Sequence, residues 1–222
     1  MTSRGARVPH QRLTFIGHTE TSAATSLSLP TGAAVGDIIY VYSMIVNSDS
    51  SALPTDPTPT INGTALTAGS ANTGTPGGAY GVRSKLYRKV LTAGDVTAGQ
   101  VVSLGSDNIY RHIIVLLRPA RAVSAITGID NSATITAGDP SARSTSNVAS
   151  QVIPVFIFAF YGTNGSFSSS RTFSPSEDAT VSLGAAQAFK YKIYNSSPAD
   201  VTIDWGDDGD RNVLHLNAIA VN

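Results

Sequence analysis

Four carboxylates lie close together near the C-terminal end of the chain, and they are the residues whose type and spacing could hold a ligand. They are Asp204, Asp207, Asp208 and Asp210, separated by Trp205 and two glycines. Carboxylate oxygens are the ligands that Ca²⁺ prefers, although no glutamate follows at the twelfth position as in an EF-hand. Asp-Gly between two apolar strands is also an ordinary hairpin turn. The turn is the preferred interpretation and a calcium site is the alternative.

Histidines and serines could also do chemistry, but their spacing does not support a hydrolase. The histidines His10, His18, His112 and His215 do not stand in His-x-x-x-His or His-Glu-x-x-His spacing, which zinc enzymes use. The sequence has no Gly-x-Ser-x-Gly segment for a nucleophile elbow. His112 and His215 lie in apolar runs, which favours a place in a core or an interface. The sequence therefore predicts a protein that is not an enzyme and has no cofactor, apart from the candidate Ca²⁺.

The sharpest charge pattern in the chain lies between residues 82 and 91. Alternation places Arg83, Lys85, Tyr87 and Lys89 on one face of a predicted strand, opposite a mostly apolar face. This basic face could contact an acidic partner chain, a glycan or nucleic acid, or it could be the solvated side of the strand. Fifteen basic and fifteen acidic residues give zero formal net charge, so no direct binding of nucleic acid is predicted.

The composition bounds the class of protein. A chain of 222 residues is long enough for one β-sandwich with a full core, and its 14% of charged residues is below the roughly 25% usual for soluble domains. Such a surface is tolerated when much of it packs against copies or partners. No cysteine is present, so the core must stabilise the fold without disulfides. No membrane helix and no secretory signal are found, which predicts synthesis in the cytosol and no membrane insertion.

The elements that position these residues are organised around residues 27–46. A turn rich in proline and glycine joins one strand to the longest apolar run of the N-terminal half, which starts at Ile38. Both faces of this run are apolar, and Tyr40 and Tyr42 share one of them. The pattern favours a central strand covered on both sides, or one whose aromatic face meets another chain.

Short apolar runs separated by turn residues continue to the end of the chain. Asn62-Gly63 supplies the two positive φ angles of a type I′ hairpin. We predict about a dozen strands, no convincing helix, and long loops at 47–59, 68–81 and 162–178. Regular short strands of this kind are typical of an all-β fold, here an antiparallel, jelly-roll-like β-sandwich of two packed sheets.

The first twelve residues differ from the rest of the chain because they are polar and basic and have no periodicity. We predict that residues 1–12 are an N-terminal arm ahead of a single sandwich domain at 13–222. Arg4, Arg7 and Arg12 are the predicted contact residues of this arm. Together with the tyrosine face and the basic face described above, they make up the predicted interface with other chains.

Several of these segments resemble one known group of proteins, the β-sandwich proteins encoded in the structural gene clusters of tailed bacteriophages. The resemblance covers residues 13–119; beyond them it is limited to the general pattern of short strands and turns. It rests on Phe15-Ile16-Gly17, on residues 25–30 (TSLSLP), on residues 34–41 (AVGDIIYV), on residues 86–90 (LYRKV) and on residues 115–119 (VLLRP).

The resemblance implies a virion component and supplies no catalytic residues. It implies a tail-associated or fibre protein, or a capsid decoration protein, assembled in the host cytoplasm. We expect other virion proteins as partners and a homo-oligomer, with a trimer favoured. The alternative is a carbohydrate- or receptor-binding module, such as an adhesin tip, whose loops at 47–59, 68–81 and 162–178 would contact a host glycan.

Overall fold

The fold is all β, as the sequence predicts. The computed structural model describes residues 11–21, 24–47, 58–74, 81–97, 100–104, 111–136, 142–146, 148–151, 154–162, 172–182, 187–204 and 212–222. These residues form seventeen strands and contain no helix. Accordingly, no helix in these ranges is long and apolar enough to cross a membrane.

The first nine strands belong to the N-terminal half of the chain. They are β1 (Leu13–Thr21), β2 (Ser26–Ser28), β3 (Ile38–Asn47), β4 (Thr60–Ile61), β5 (Thr64–Ala65), β6 (Thr67–Gly74), β7 (Gly81–Val90), β8 (Val101–Ser103) and β9 (Arg111–Pro119). The other eight are β10 (Ile126–Thr136), β11 (Ala142–Ser144), β12 (Val155–Gly162), β13 (Thr172–Ser174), β14 (Ala179–Ser182), β15 (Gln187–Tyr194), β16 (Thr202–Asp204) and β17 (Asn212–Val221).

Four antiparallel sheets pack in four layers. The first large sheet has the order β1-β9-β3-β7-β6, and the second has the order β10-β17-β12-β15-β14. These two sheets pack face to face, and a small sheet covers the outer face of each. The small sheets have the orders β2-β8-β4-β5 and β11-β16-β13. The predicted β-sandwich is confirmed, with more layers than the two predicted; the jelly-roll topology and the single domain at 13–222 stay predictions.

The chain follows the same path twice. In sheet order, β1, β9, β3, β7 and β6 correspond to β10, β17, β12, β15 and β14, and β2, β8 and β4 correspond to β11, β16 and β13. The first strand of each half carries a bulge, at Ile16 in β1 and at Ile129 in β10. In the first half, the bulge directly follows the residue that pairs with Leu117, and in the second half it directly follows the residue that pairs with Ile219. Leu117 and Ile219 are equivalent, because each also pairs with the first residue of β3 or β12 that points into the central core. The two halves therefore share one topology, including the position of a bulge in the first strand.

The central core between the large sheets is aromatic. Alternation along β3 and β12 directs Ile38, Tyr40 and Tyr42 from one side, and three phenylalanines from the other, into the same layer. The Tyr42 ring stacks on that of Phe160, with centroids 4.2 Å apart and planes 6° from parallel. The Tyr40 and Phe158 centroids are 5.6 Å apart. Offset stacking of this kind adds about 0.5–1.5 kcal/mol per pair beyond the area that it buries.

The opposite faces of the large sheets are covered as well, which explains why β3 and β12 are apolar on both faces. In β3, Ile39 and Val41 point away from the central core and pack under the first small sheet. In β12, Val155 and Ile157 do the same under the second small sheet. The predicted hairpin is confirmed, since β4 and β5 are joined at Asn62 and Gly63, both with positive φ.

Two of the predicted loops contain strands. The sequence predicts a loop at residues 68–81, since glycine, alanine and threonine show no apolar period there, yet β6 takes up the first half of this segment. Likewise, β13 lies in the predicted loop at 162–178, and β10 extends to Thr136 through a segment without a strong apolar period. Each of these segments pairs with a strand of the packed sheets, and such pairing can override a weak local pattern because β-propensity depends strongly on context.

We expect the loss of one aromatic ring from the central core to be costly. Phe158→Ala removes a fully buried ring that contacts Tyr40, Phe156 and Phe189, so the free energy of unfolding should fall by about 3–5 kcal/mol. Urea denaturation measures this change. The exposed Thr127→Ala is the control and should change the same free energy by less than about 0.5 kcal/mol. Equal effects of the two substitutions would contradict the central core described here.

Candidate functional site

A buried carboxylate holds the corner between β2 and β3. Asp37 is 2% exposed, and its Oδ2 accepts the backbone N–H of Ala34 at 2.9 Å. The guanidinium of Arg118, at the end of β9, donates to both oxygens of this carboxylate, from Nε to Oδ1 and from Nη2 to Oδ2, each at 2.8 Å. Arg118 remains 43% exposed. A bidentate pair of this kind fixes geometry as well as charge.

The same guanidinium closes the turn that precedes Asp37. Its Nη2 also donates to the carbonyl of Gly32 at 2.7 Å. Gly32 and Gly36 have φ angles of +87° and +89°, which side chains other than glycine disfavour. Leu91 donates its N–H to the carbonyl of Asp37 at 2.8 Å and accepts the N–H of Gly36 at 2.9 Å. The corner therefore joins β3, β7 and β9.

A second buried carboxylate lies in the turn after β7. Asp95 is 1% exposed; its Oδ1 accepts a hydrogen bond from Lys89 Nζ at 2.8 Å, and its Oδ2 accepts the N–H and hydroxyl of Thr92. Burial alone would raise the pKa of Asp95, but the hydrogen bonds from Lys89 and Thr92 outweigh burial and lower it. The carboxylate stays charged and holds the turn against the end of β7.

A groove lies between these two turns. Its volume is about 280 Å³, and Ser28, Leu29, Pro30, Gly32, Ala33, Val96, Thr97 and Gln100 line it. No lining residue is charged. The groove therefore combines apolar contacts with hydroxyl and amide groups, a lining that suits an uncharged polar ligand.

A serine and a histidine pair on the face of β3 and β9 that points away from the central core. Ser43 Oγ and His112 Nδ1 are 2.6 Å apart, and the two residues are directly opposite in the sheet. This is the geometry of a nucleophile and its base. Both residues are at most 1% exposed, however, so the pair is a contact within the packed layer. His112 Nε2 has no hydrogen-bond partner in the described part of the chain.

Burial decides the charge of His112. Removal from water disfavours the imidazolium and lowers the pKa of His112 from 6.5 to about 4. His112 is therefore neutral at pH 7. The sequence predicts that His112 lies in a core or an interface, and it lies in the interior of the chain; the side chain of His215 lies outside the described part of the structure.

Three aromatic residues of the predicted interface lie in the interior, and for them the prediction is wrong. Tyr40 and Tyr42 are 1% and 4% exposed and face the second large sheet, not another chain. Burial raises the pKa of both tyrosines. Tyr87 is also buried, under the first small sheet. Alternation identified the shared faces correctly, but it cannot tell a neighbouring sheet of the same chain from a partner.

The basic residues of the predicted interface are dispersed. Lys89 forms the ion pair with Asp95, and Lys85 is half-buried, with its Nζ 5.6 Å from the centre of the Tyr87 ring. Arg12 is exposed, and its carbonyl accepts the N–H of Ala120 at 2.8 Å. The side chain of Arg83 lies outside the described residues, as do Arg4 and Arg7 as a whole.

The acidic cluster falls almost wholly outside the described residues. Asp204 ends β16, but its side chain is not described, and neither are Asp207, Asp208 and Asp210. Within the described ranges, no group of three or more acidic, histidine or cysteine residues could hold a metal ion. The calcium site stays a prediction.

The contacts at the corner were not predicted from the sequence, although their signal is present in it. Asp37 follows a glycine turn and opens an apolar strand, a position where a lone carboxylate needs a partner. Arg118 ends another apolar strand just before a proline. Neither residue identifies its partner, because 81 residues separate them in the chain. The pairing of Ser43 with His112 is hidden for the same reason.

Comparison with known proteins adds no relative. No protein family model matches the chain, and neither does any curated protein or solved structure.

The corner should depend on the charge of Asp37. Asp37→Asn keeps the shape of the side chain but removes the charged acceptor of Arg118, so we expect the free energy of unfolding to fall by about 1.5–3 kcal/mol. Urea denaturation measures the loss. Glu20→Gln makes the same chemical change at an exposed position of β1 and should leave the midpoint unchanged. Retention of full stability by Asp37→Asn would show that the ion pair does not hold the corner.

Stability should fall in mild acid because of His112. Between pH 6.5 and pH 4 the unfolded chain binds a proton at this residue and the folded chain does not, so the stability present above pH 6.5 is lost as the pH falls. A shift of this size corresponds to roughly 2–4 kcal/mol. His112→Gln should lose less stability than the wild type between pH 7.5 and pH 4.5 in urea titrations. His18→Gln, at an exposed histidine, should follow the wild type.

Proposed function

We propose that this chain is a non-enzymatic structural protein of a tailed-bacteriophage virion. It assembles with copies of itself in the host cytoplasm and docks on other virion proteins, as a tail-associated or fibre component or as a capsid decoration. The N-terminal arm, with Arg4, Arg7 and Arg12, anchors it to its neighbours in the particle.

The observation that carries this proposal is that the residues behind the resemblance come together in one structural unit. The quoted segments contribute to β1, β3, β7 and β9, which are adjacent in the first large sheet. Asp37 and Arg118 belong to two different quoted segments and form the bidentate ion pair. Gly17 and Pro30 belong to two others, and the position of a Cβ on Gly17 is 3.8 Å from the Cβ of Pro30. Four of the five segments thus lie in one sheet, and the fifth, residues 25–30, forms β2 and leads into the corner.

The architecture also suits a protein that must last outside a cell. Its strands pair with partners distant in sequence, so many long-range contacts must break together when the body unfolds. Among the described residues, apolar side chains on both faces of each large sheet pack into buried clusters, and the ion pairs at the corner and after β7 involve buried carboxylates.

Deletion of the arm tests the proposal. The arm can be removed as residues 2–10, since this leaves intact the hydrogen bond between Arg12 and Ala120. We expect the deleted chain to keep the melting temperature of the full chain but to be absent from purified virions, as measured by quantitative mass spectrometry of particles. Replacement of Arg4 and Arg7 by alanine should weaken incorporation in the same direction. A virion that never contains the full chain, or one that incorporates the deleted chain normally, would falsify the proposal.

A carbohydrate- or receptor-binding module is the second candidate, and the groove beside the corner favours it. Hydroxyl and amide groups next to apolar carbons are the groups that bind sugars, and Ser28, Thr97 and Gln100 supply them there. A glycan that raises the melting temperature of the wild type but not that of Gln100→Ala would support binding at this groove. A structural subunit without this activity should respond to its neighbours and not to sugars.

A further inference from the structure

The two large sheets meet at two lateral seams, which differ although the halves follow the same path. At the first seam, the edge strand β1 meets β15. At the second seam, the edge strand β10 runs alongside the edge strand β6. Because β1 and β10 are equivalent strands, the first seam serves as an internal reference for the second.

The first seam is closed by side chains. Asn195 accepts the N–H of Leu13 at 2.8 Å and donates to the carbonyl of the same residue at 3.1 Å, so it occupies the outer edge of β1. The Phe15 ring stacks on Tyr191 with centroids 4.4 Å apart. Two ion pairs lie beside this seam on β15, Lys190 with Glu177 and Lys192 with Asp178. Charged and bridging side chains are the usual protection of a sheet edge.

The second seam has no such protection among the described residues. β10 pairs only with β17, and β6 pairs only with β7. Neither strand contains a proline, lysine or arginine, and Asp130 is the one charged residue in the two. Thr127 and Gly128 of β10 are exposed, as are Thr67 and Ala68 of β6. At roughly 3.4 Å per residue, the eleven residues of β10 offer an edge about 37 Å long.

We propose that the outer edge of β10 pairs with β10 of a second copy of this chain, antiparallel about a twofold axis. Beyond the bulge at Ile129, residues 130–136 form a regular ladder with β17 along one edge, and no described strand pairs with the other edge. A twofold axis normal to the sheets would also place β6 beside the β6 of the other copy. The first large sheets of the two copies would then meet at their β6 edges, next to the paired β10 edges of the second large sheets. A second copy fits better than an oppositely charged partner, because the edge carries almost no charge to complement.

Continuity with the packing inside the chain also favours a second copy. Ile126, at the start of β10, packs against the central core, and the core lies between the two sheets whose edges form this seam. Pairing of the edges would extend both large sheets and continue this layer from one copy into the next. The inference rests on the part of the proposed function in which the chain assembles with itself, and not on its place in a virion.

Proline substitution tests the pairing. In an antiparallel edge strand, the N–H of alternate residues points away from the sheet, so proline at one of two neighbouring positions leaves the ladder intact and the other breaks it. Ser132→Pro and Ala133→Pro are therefore made as two separate single variants of the full chain. The informative variant is the one that keeps the strand content of the wild type by circular dichroism and still unfolds in one cooperative urea transition. By light scattering, the wild type should have the mass of a dimer and this variant that of a monomer.

The matched controls lie at the equivalent positions of β1. Thr19 and Glu20 pair with Ile114 and Ile113, just as Ser132 and Ala133 pair with Leu216 and His215. Whichever of Thr19→Pro and Glu20→Pro stays folded should remain a dimer. A monomeric wild type, or a folded β10 variant that is still a dimer, overturns the inference. A trimer that survives the β10 substitution also overturns it but leaves the proposed function standing.

A cysteine scan tests the same pairing without a risk to folding. The chain has no cysteine, so a single cysteine at residue 131, 132, 133 or 134 can form a disulfide only between two copies. Under mild oxidation, one position near the axis should give a linked dimer in high yield and its neighbours less, because disulfides need Cα atoms about 4.4–6.8 Å apart. Cysteine at Thr19 or Glu20 should give none. Equal yields at all six positions would overturn the inference.

Discussion

Coverage of both faces of two large sheets is the constraint on which this structure depends. A sheet that is apolar on both sides cannot face water, so each large sheet needs two partners. The two large sheets cover one face of each other, through the aromatic layer between β3 and β12. The small sheets cover the outer faces of the two large sheets. The corner at Asp37 has its role within this arrangement, because it carries the chain from a small sheet to a large one.

Polar groups inside the layers fix the register in which the strands of this packing pair. Apolar contacts are non-directional, so a sheet of isoleucine, valine and leucine could pair in more than one register. Asp37 meets Arg118 only when β3 and β9 pair as observed, and Ser43 meets His112 in the same register. A slip by one residue would turn His112 into the central core and leave the carboxylate of Asp37 without its guanidinium.

The sequence is informative about the fold where residues are large and alternate, and uninformative where they are small. The strand from Ile38, the Asn62-Gly63 hairpin and the absence of helices in the described residues could all be predicted from local pattern. The strands β6 and the distal part of β10 could not, because their glycine, serine, alanine, asparagine and threonine residues show no apolar alternation that would identify a buried face. Tyr40 and Tyr42 were assigned the right face but the wrong partner, since alternation does not identify what covers a face. The corner was recognised as a turn, yet its ion pair depends on two residues in distant parts of the chain.

The segment at 120–125 has a consequence for how the protein folds. It joins β9 to β10 directly, and its residues Ser124 and Ala125 donate hydrogen bonds to the last residue, Asn222. In a dimer of separate subunits, an aromatic layer like the one between the large sheets would form only when two molecules meet, and its stability would depend on protein concentration. A covalent link of six residues makes the same encounter intramolecular, at an effective concentration on the order of millimolar. The layer can therefore form in a single newly made chain, however dilute that chain is in the cell.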